Sequence, residues 1–351
     1  MRQKFISQGY AWAASSYYQN GYDVRAGVLS TKDLADAFTK LVHRPHRTYI
    51  TGVSLGGHVV GRSLEQFPGF YDGALPMCGV LGDQALFDYF LDYYLVAEDL
   101  AGIRAYPVPA DFLTNPALGP QIQANLGLTA LTPTNDTTND LGKQFRAIMV
   151  NRTGGDRPGA VPAFAFWKNF LFNLGVPTVP SSPDDTLAER PGQLATNILT
   201  RYTPNAPVDV NGTVQRVPPE NFRPRLSPLL TQVPRIQGRP HAPVVSLHGL
   251  GDLFVPFANE QQYQADAARH GQSHNVVQRA IRTINHCEFS PDEAGRAWDD
   301  LVAWVTHGTR PAGDSVNKPS VVADPNYGCT FSDRAAFTAG TGTRRLFAAC
   351  P

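Results

Sequence analysis

Ser54 stands in "YITGVSLGGHVVGR", with Gly52 two residues before it and Gly56 and Gly57 just after. A serine hydroxyl is a weak nucleophile until a base removes its proton, and neutral imidazole suits that task near neutral pH. The imidazole in turn needs a carboxylate to hold its tautomer and stabilise the imidazolium. His286 and Asp252 could supply both parts. Each of the three falls at the end of a candidate strand: Ser54 after "TYITGV", Asp252 after "VVSLHGL" and His286 after "IRTIN". The glycines around Ser54 fit a sharp strand-to-helix turn, where a Cβ would collide with neighbouring backbone. The chemistry on offer is acyl transfer through a covalent serine intermediate.

Other groups compete for these roles. Asp83, in "GVLGDQ", is an alternative acid, and nine histidines are present. His58 reads as helix packing and His248 as a brace for the Asp252 loop. His43 and His46, in "HRPHR", read as a solvated loop. His270 and His274 have i,i+4 spacing, but Gly271 marks a helix end and no third ligand is near in sequence. No metal and no cofactor are expected.

The elements that must position the trio alternate. "RTYITGV" reads as a strand and "SLGGHVVGRSLEQF" as the helix leaving it, and "YDGALPMCGV" as another short buried strand. Later come strand "APVVSLHGLGD", helix "ANEQQYQADAARHG", strand "NVVQRAIRTINH" and helix "PDEAGRAWDDLVAWVTHG". Such alternation builds a mostly parallel sheet with helices on both faces, an α/β fold that binds ligands at the carboxyl ends of its strands. Near the start, a strand is expected around Tyr10 to Ala14. "LSTKDLADAFTKLV" reads as a helix with Thr31 as its N-cap. Between about 106 and 235 prolines recur and the alternation stops. An irregular insertion of that length is usually functional, often a lid.

Composition narrows the partners. The chain has 351 residues, 42% hydrophobic and 17% charged, with 30 basic and 30 acidic side chains. Zero formal net charge argues against nucleic acid, whose phosphates call for a basic excess. No apolar run approaches the roughly 20 residues needed to cross a bilayer. Few charges and 29 prolines fit a secreted protein. "MRQKFISQGYAWAASS" fails as a signal peptide because Ser7, Gln8 and Gly9 break its apolar centre. A removed signal would lie upstream of this numbering. Of the four cysteines, Cys329 and Cys350 bracket a tail poor in core residues. A bridge there would stabilise by about 3 kcal/mol in the chain-entropy model; two unpaired thiols are the alternative.

"GVSLGG" resembles the nucleophile elbow of the α/β-hydrolase superfamily. "HGLGDLFVPF" resembles its H-G-x-x-D segment, and "NHCEF" the loop that carries its histidine. The order Ser, Asp, His along the chain is also that of the superfamily. The resemblance covers residues 1–105 and 236–310 and favours Asp252 over Asp83. It leaves 106–235 as a cap and 311–351 as a C-terminal extension with its own disulfide. It implies a serine esterase in which Ser54 attacks, His286 shuttles the proton, Asp252 orients His286 and the Leu55 N–H binds the oxyanion. The substrate would be a small or polymeric ester. "FAFWKNFLF" would bring Phe164, Phe166 and Trp167 to the pocket, with Tyr17 from the loop 15–17. The alternative for these aromatic residues is the cap's own core.

Cys78 ends a strand expected beside the serine strand, and Cys287 adjoins His286. A bridge would tether the histidine loop, somewhat as in the tannase and feruloyl-esterase group, although Val53 stands where that group has a cysteine. Two buried thiols are the alternative. In the superfamily a further strand lies between one like "GYAWAAS" and the serine strand, and its loop supplies half of the oxyanion hole. The recognised region lacks that strand. A shortened chain, the tail's Val321–Val322 or "RRLFAA", or a partner chain could account for the gap, and the loop 15–17 could offer a substitute donor. Alternatives to the esterase are a prolyl-oligopeptidase-like peptidase and a non-catalytic binding protein on the same scaffold.

Overall fold

Short aliphatic runs become strands here and amphipathic runs become helices, in the alternation just described. The computed structural model describes residues 1–105, 117–132, 134–174 and 194–351. It opens with α1 (Arg2–Ser7) and α2 (Val24–Leu41), followed by β1 (Tyr49–Val53), α3 (Leu55–Gln66), β2 (Gly73–Met77) and α4 (Ala85–Ala101). The insertion adds α5 (Leu118–Asn125), the two-residue strands β3 (Leu131–Thr132) and β4 (Asn135–Asp136), and α6 (Asp140–Arg152). Its remaining helices are α7 (Ala160–Leu174), α8 (Val210–Thr213) and α9 (Phe222–Leu226). Alternation resumes with β5 (Val244–Gly249), α10 (Ala258–Arg269), β6 (Val276–Ile281) and α11 (Pro291–His307).

The main sheet has the order β1-β2-β5-β6, all parallel, with Val53 opposite Met77 and Met77 opposite Leu247. Strands β2, β5 and β6 are buried along their whole length, as expected of a parallel sheet covered on both faces, and the burial includes the polar Ser246, His248, Gln278 and Arg279. Side chains alternate between two cores. Ile50, Ala74, Val244 and Val276 meet Val60 and Leu64 of α3 and Tyr263 and Ala267 of α10. Leu75, Met77, Val245 and Leu247 meet Phe5 of α1 and Trp298, Leu301 and Trp304 of α11. Burying each such large side chain contributes roughly 1.5–3 kcal/mol.

The two sheet edges differ. Beyond β6 the extension covers the ladder: the Asp314 N–H donates to the Gln278 carbonyl, and the Asp314 carboxylate accepts from the Ala280 N–H. Beyond β1 no described residue pairs. Because the Ser54 N–H donates to Met77, the N–H and C=O groups of Tyr49, Thr51 and Val53 point to the open side. That edge lines a groove of ≈ 870 Å³ together with Gly9–Ala13 and Trp298.

Several expectations need correction. Residues Tyr10–Ala14 form no strand, since across this groove they find no ladder to join. Helix α2 starts at Val24 rather than near Thr31; the buried Asp23 caps it, accepting from the Ala26 N–H at 2.8 Å. Packing of Val24 and Val28 against Val59 decides that start. The tail's Val321–Val322 belongs to a short helix and "RRL" to a 3₁₀ turn, so neither fills the gap beside β1. Both disulfides are present, with Cα–Cα distances of 5.2 Å for Cys78–Cys287 and 5.6 Å for Cys329–Cys350. The insertion also shares one core with the body. Phe145, Phe164 and Phe172 pack with Tyr93 of α4, with Leu250 and Leu253 after β5, and with Phe347 of the tail.

Candidate active site

Ser54 follows β1 and caps α3 with φ 58° and ψ −120°. A non-glycine residue held there stores roughly 1–3 kcal/mol of strain, and the surrounding backbone holds it. The Ser54 N–H donates to Met77, while its carbonyl accepts from Gly57 and Val80. Two of the three glycines explain the spacing. A Cβ on Gly52 would lie 2.1 Å from the Gly56 carbonyl oxygen, and one on Gly57 would lie 2.3 Å from the Gly79 Cα. A Cβ on Gly56 would meet nothing within 4 Å. The turn leaves the Leu55 N–H at the first residue of α3, where the positive end of the helix dipole favours an anion.

His286 completes the arrangement. Its Nε2 lies 2.8 Å from Ser54 Oγ and its Nδ1 lies 2.5 Å from Asp252 Oδ2. Asp252 is buried, and its Oδ1 accepts from the Phe254 and Val255 N–H groups, both at 2.9 Å. The carboxylate therefore faces Nδ1 in a fixed orientation. This makes Nδ1 the donor and leaves Nε2 to accept from the serine hydroxyl. All three side chains follow the carboxyl ends of parallel strands of an α/β sheet: Ser54 after β1, Asp252 after β5 and His286 after β6. The Cys78–Cys287 disulfide abuts the site, with sulfur atoms within 4.8 Å of a His286 ring nitrogen. Cys78 and Cys287, like Ser54, have positive φ, so three of the six such non-glycine residues among those described meet here.

The competing groups are engaged elsewhere. Asp83 accepts from the Gln84 and Ile236 N–H groups, and burial pushes its carboxyl up to about 7. His58 accepts from the Tyr22 hydroxyl at Nδ1 and donates from Nε2 to the Pro234 carbonyl. Burial lowers its pKa to about 4, so the ring is neutral. His248 spans Glu260 and the Val255 carbonyl, just behind Asp252. Burial alone would lower its pKa, but the hydrogen bond and charge of Glu260 raise it overall.

The aromatic residues divide. Phe164 is buried against Phe145, and Trp167 is buried with its indole N–H turned inward, so neither is a free pocket wall. Apolar packing claims both, because α7 turns that face toward the shared core. Phe166 and Phe170 are more than two-fifths exposed. Phe254 was not singled out from the sequence. It links Phe170 (5.3 Å between ring centroids) to His286 (5.1 Å), forming an aromatic ledge beside the imidazole. Its only sequence signal is its place two residues after Asp252. Tyr17 is half-buried over Gly27 and Val59. Its N–H donates to Ser15 Oγ, so that N–H is not free to serve as the substitute oxyanion donor.

No protein-family model and no curated protein matches this sequence. Among solved structures, feruloyl esterase B from Aspergillus oryzae aligns over 81% of this chain and 64% of its own, at 13% identity and TM-score 0.39. Tannin acyl hydrolase from Aspergillus niger aligns over 82% and 61%, at 14% identity and TM-score 0.34. The rice cell-wall-degrading esterase LipA from Xanthomonas oryzae aligns over 83% and 66%, at 12% identity and TM-score 0.30. The chain thus spans a little under two thirds of each of these neighbours.

Proposed function

We propose that this chain is a serine hydrolase that cleaves carboxylic esters through an acyl-enzyme. The observation that carries the reading is the continuous chain Ser54 Oγ–His286 Nε2, His286 Nδ1–Asp252, set on a strained elbow. Ser54 Oγ attacks the ester carbonyl carbon as its proton passes to Nε2, and the carbonyl oxygen gathers charge at the Leu55 N–H. Collapse breaks the acyl C–O bond, and the departing alkoxide takes the proton from Nε2. Water then repeats the sequence on the acyl-serine, and Ser54 leaves protonated.

An ester carbonyl is less resonance-stabilised than an amide and asks less of the oxyanion site, which favours esters over peptides. The exposed faces of Phe166 and Phe170 beside Phe254 provide an apolar wall for one side of the substrate. In this reading the insertion caps the site, and the two disulfides fit an oxidising, extracellular setting. No helix among the described residues is long and apolar enough to cross a membrane.

A fluorophosphonate probe followed by peptide mapping tests the nucleophile. Labelling should map to Ser54 and vanish in Ser54→Ala, and p-nitrophenyl esters should turn over faster than peptide anilides. A folded protein that takes no label would end the hydrolase reading.

A further inference from the structure

The Ile284–Asn285 peptide plane, one residue ahead of His286, is held from both sides by residues outside the sheet. Its oxygen, the Ile284 carbonyl, accepts from the Trp167 indole N–H at 2.9 Å. Its N–H, that of Asn285, donates to Thr343 Oγ1 at 3.2 Å, and the Ile284 N–H donates to the same oxygen at 2.8 Å. Thr343 is itself held, its hydroxyl donating to Glu288 and its backbone N–H donating to Glu288 Oε1 at 2.9 Å. The Trp167 N–H is shared: it also reaches the Gly251 carbonyl at 3.1 Å, immediately before Asp252. One indole from the insertion therefore ties the loop of the acid to the loop of the base.

The acid loop has further side-chain anchors, one from the insertion and one from α4. Arg157 Nε donates to the Leu250 carbonyl at 2.7 Å and the Tyr89 hydroxyl to the Leu253 carbonyl at 3.0 Å. The carbonyls of residues 250, 251 and 253 are thus each gripped by a side chain from the region between β2 and β5. Loops at strand ends carry few ladder bonds of their own, so these contacts set where Asp252 and His286 sit.

We infer that Trp167 and Thr343 are positioning residues, which hold the peptide before His286 and keep its imidazole in line between Asp252 and Ser54. Trp167 does so from the insertion and Thr343 from the C-terminal extension. The role rests on the proposed reaction, but the geometry it predicts can be read without it. A misplacement of about 1 Å can cost on the order of 100-fold in rate, and loss of one of two clamps should cost less.

The test compares wild type with Trp167→Phe, which keeps a ring and removes the N–H, and with Thr343→Val, which keeps the shape and removes the acceptor. Circular dichroism and thermal melts establish that each is folded. With a p-nitrophenyl ester, kcat should fall about tenfold in each variant with KM within twofold, a split that follows from displaced chemistry rather than lost binding. The second readout is the downfield proton resonance of the His286 Nδ1–H against Asp252, which should be sharp in wild type and broadened or lost in both variants. A folded variant that keeps both its kcat and the resonance overturns the positioning role. If wild type shows the resonance but no ester turnover, the proposed reaction fails. The resonance in the two variants then still decides the clamp.

Discussion

Asp252→Asn should keep the fold and abolish most of the activity, because the structure forces the new amide to face the wrong way. Asp252 Oδ1 accepts from the Phe254 and Val255 N–H groups in a buried turn. An asparagine that kept its oxygen there would turn its NH₂ toward His286 Nδ1. Flipping it would leave both backbone donors unsatisfied, at roughly 1–3 kcal/mol each. Nδ1 must then accept, so the ring proton moves to Nε2 and points at Ser54 Oγ. A protonated Nε2 cannot take the serine proton. The equivalent tautomer error in a serine protease costs about 10⁴-fold in kcat, or about 5.4 kcal/mol at 1.36 kcal/mol per decade. The assay is kcat for a p-nitrophenyl ester, with urea unfolding as the control for stability. A folded variant that loses less than about tenfold would show that Asp252 does not orient the base.

Replacing Cys78 and Cys287 together with serine should destabilise more than replacing Cys329 and Cys350. The sequence separations of 209 and 21 correspond to about 5 and about 3 kcal/mol in the chain-entropy model; the opposite ranking in urea unfolding would reject loop closure as the main effect. His58, lowered to about 4 from an ordinary 6.5, binds its proton more readily when unfolded. It should therefore remove about 3 kcal/mol of stability as the pH falls from about 7 to 4. His58→Gln should flatten that part of the stability–pH curve, and an unchanged slope would mean that the buried ring is not what titrates. Gly56→Ala should leave the unfolding midpoint within about 1 kcal/mol of wild type, since the methyl meets open space at a helical position. Gly52→Ala should lose several kcal/mol, because its methyl would press on backbone; equal effects would contradict the close approach of β1 and α3.

Much of the scaffold is legible because its signals are local. The period of the apolar residues separates β5 from α10 without any knowledge of partners, although β5, buried along its whole length, carries the polar Ser246 and His248 among its apolar residues. The elbow is legible in part for the same reason: a Cβ on Gly52 would strike Gly56 within the same turn, whereas Gly57 is required by the close approach of Gly79 after β2. Tyr10–Ala14 misled because its apolar character is local, whereas membership of a sheet requires a neighbouring strand. Trp167 misled in a similar way. An aromatic run in an insertion has the composition of a pocket wall, and only the packing of α7 shows that this indole N–H turns inward.

The sequence alone determined the alternating elements, the parallel class of the sheet and the candidate trio of Ser54, Asp252 and His286, since each depends on spacing within a few residues. Only the tertiary structure decided which of two acidic residues meets His286 and how the four cysteines join. It also showed that Phe254 flanks the imidazole and that residues 167 and 343 grip the peptide before it. Those contacts join segments from 21 to 232 residues apart. Such pairings are set by how helices and loops share one core, a property of the whole packed chain that no short stretch of it encodes.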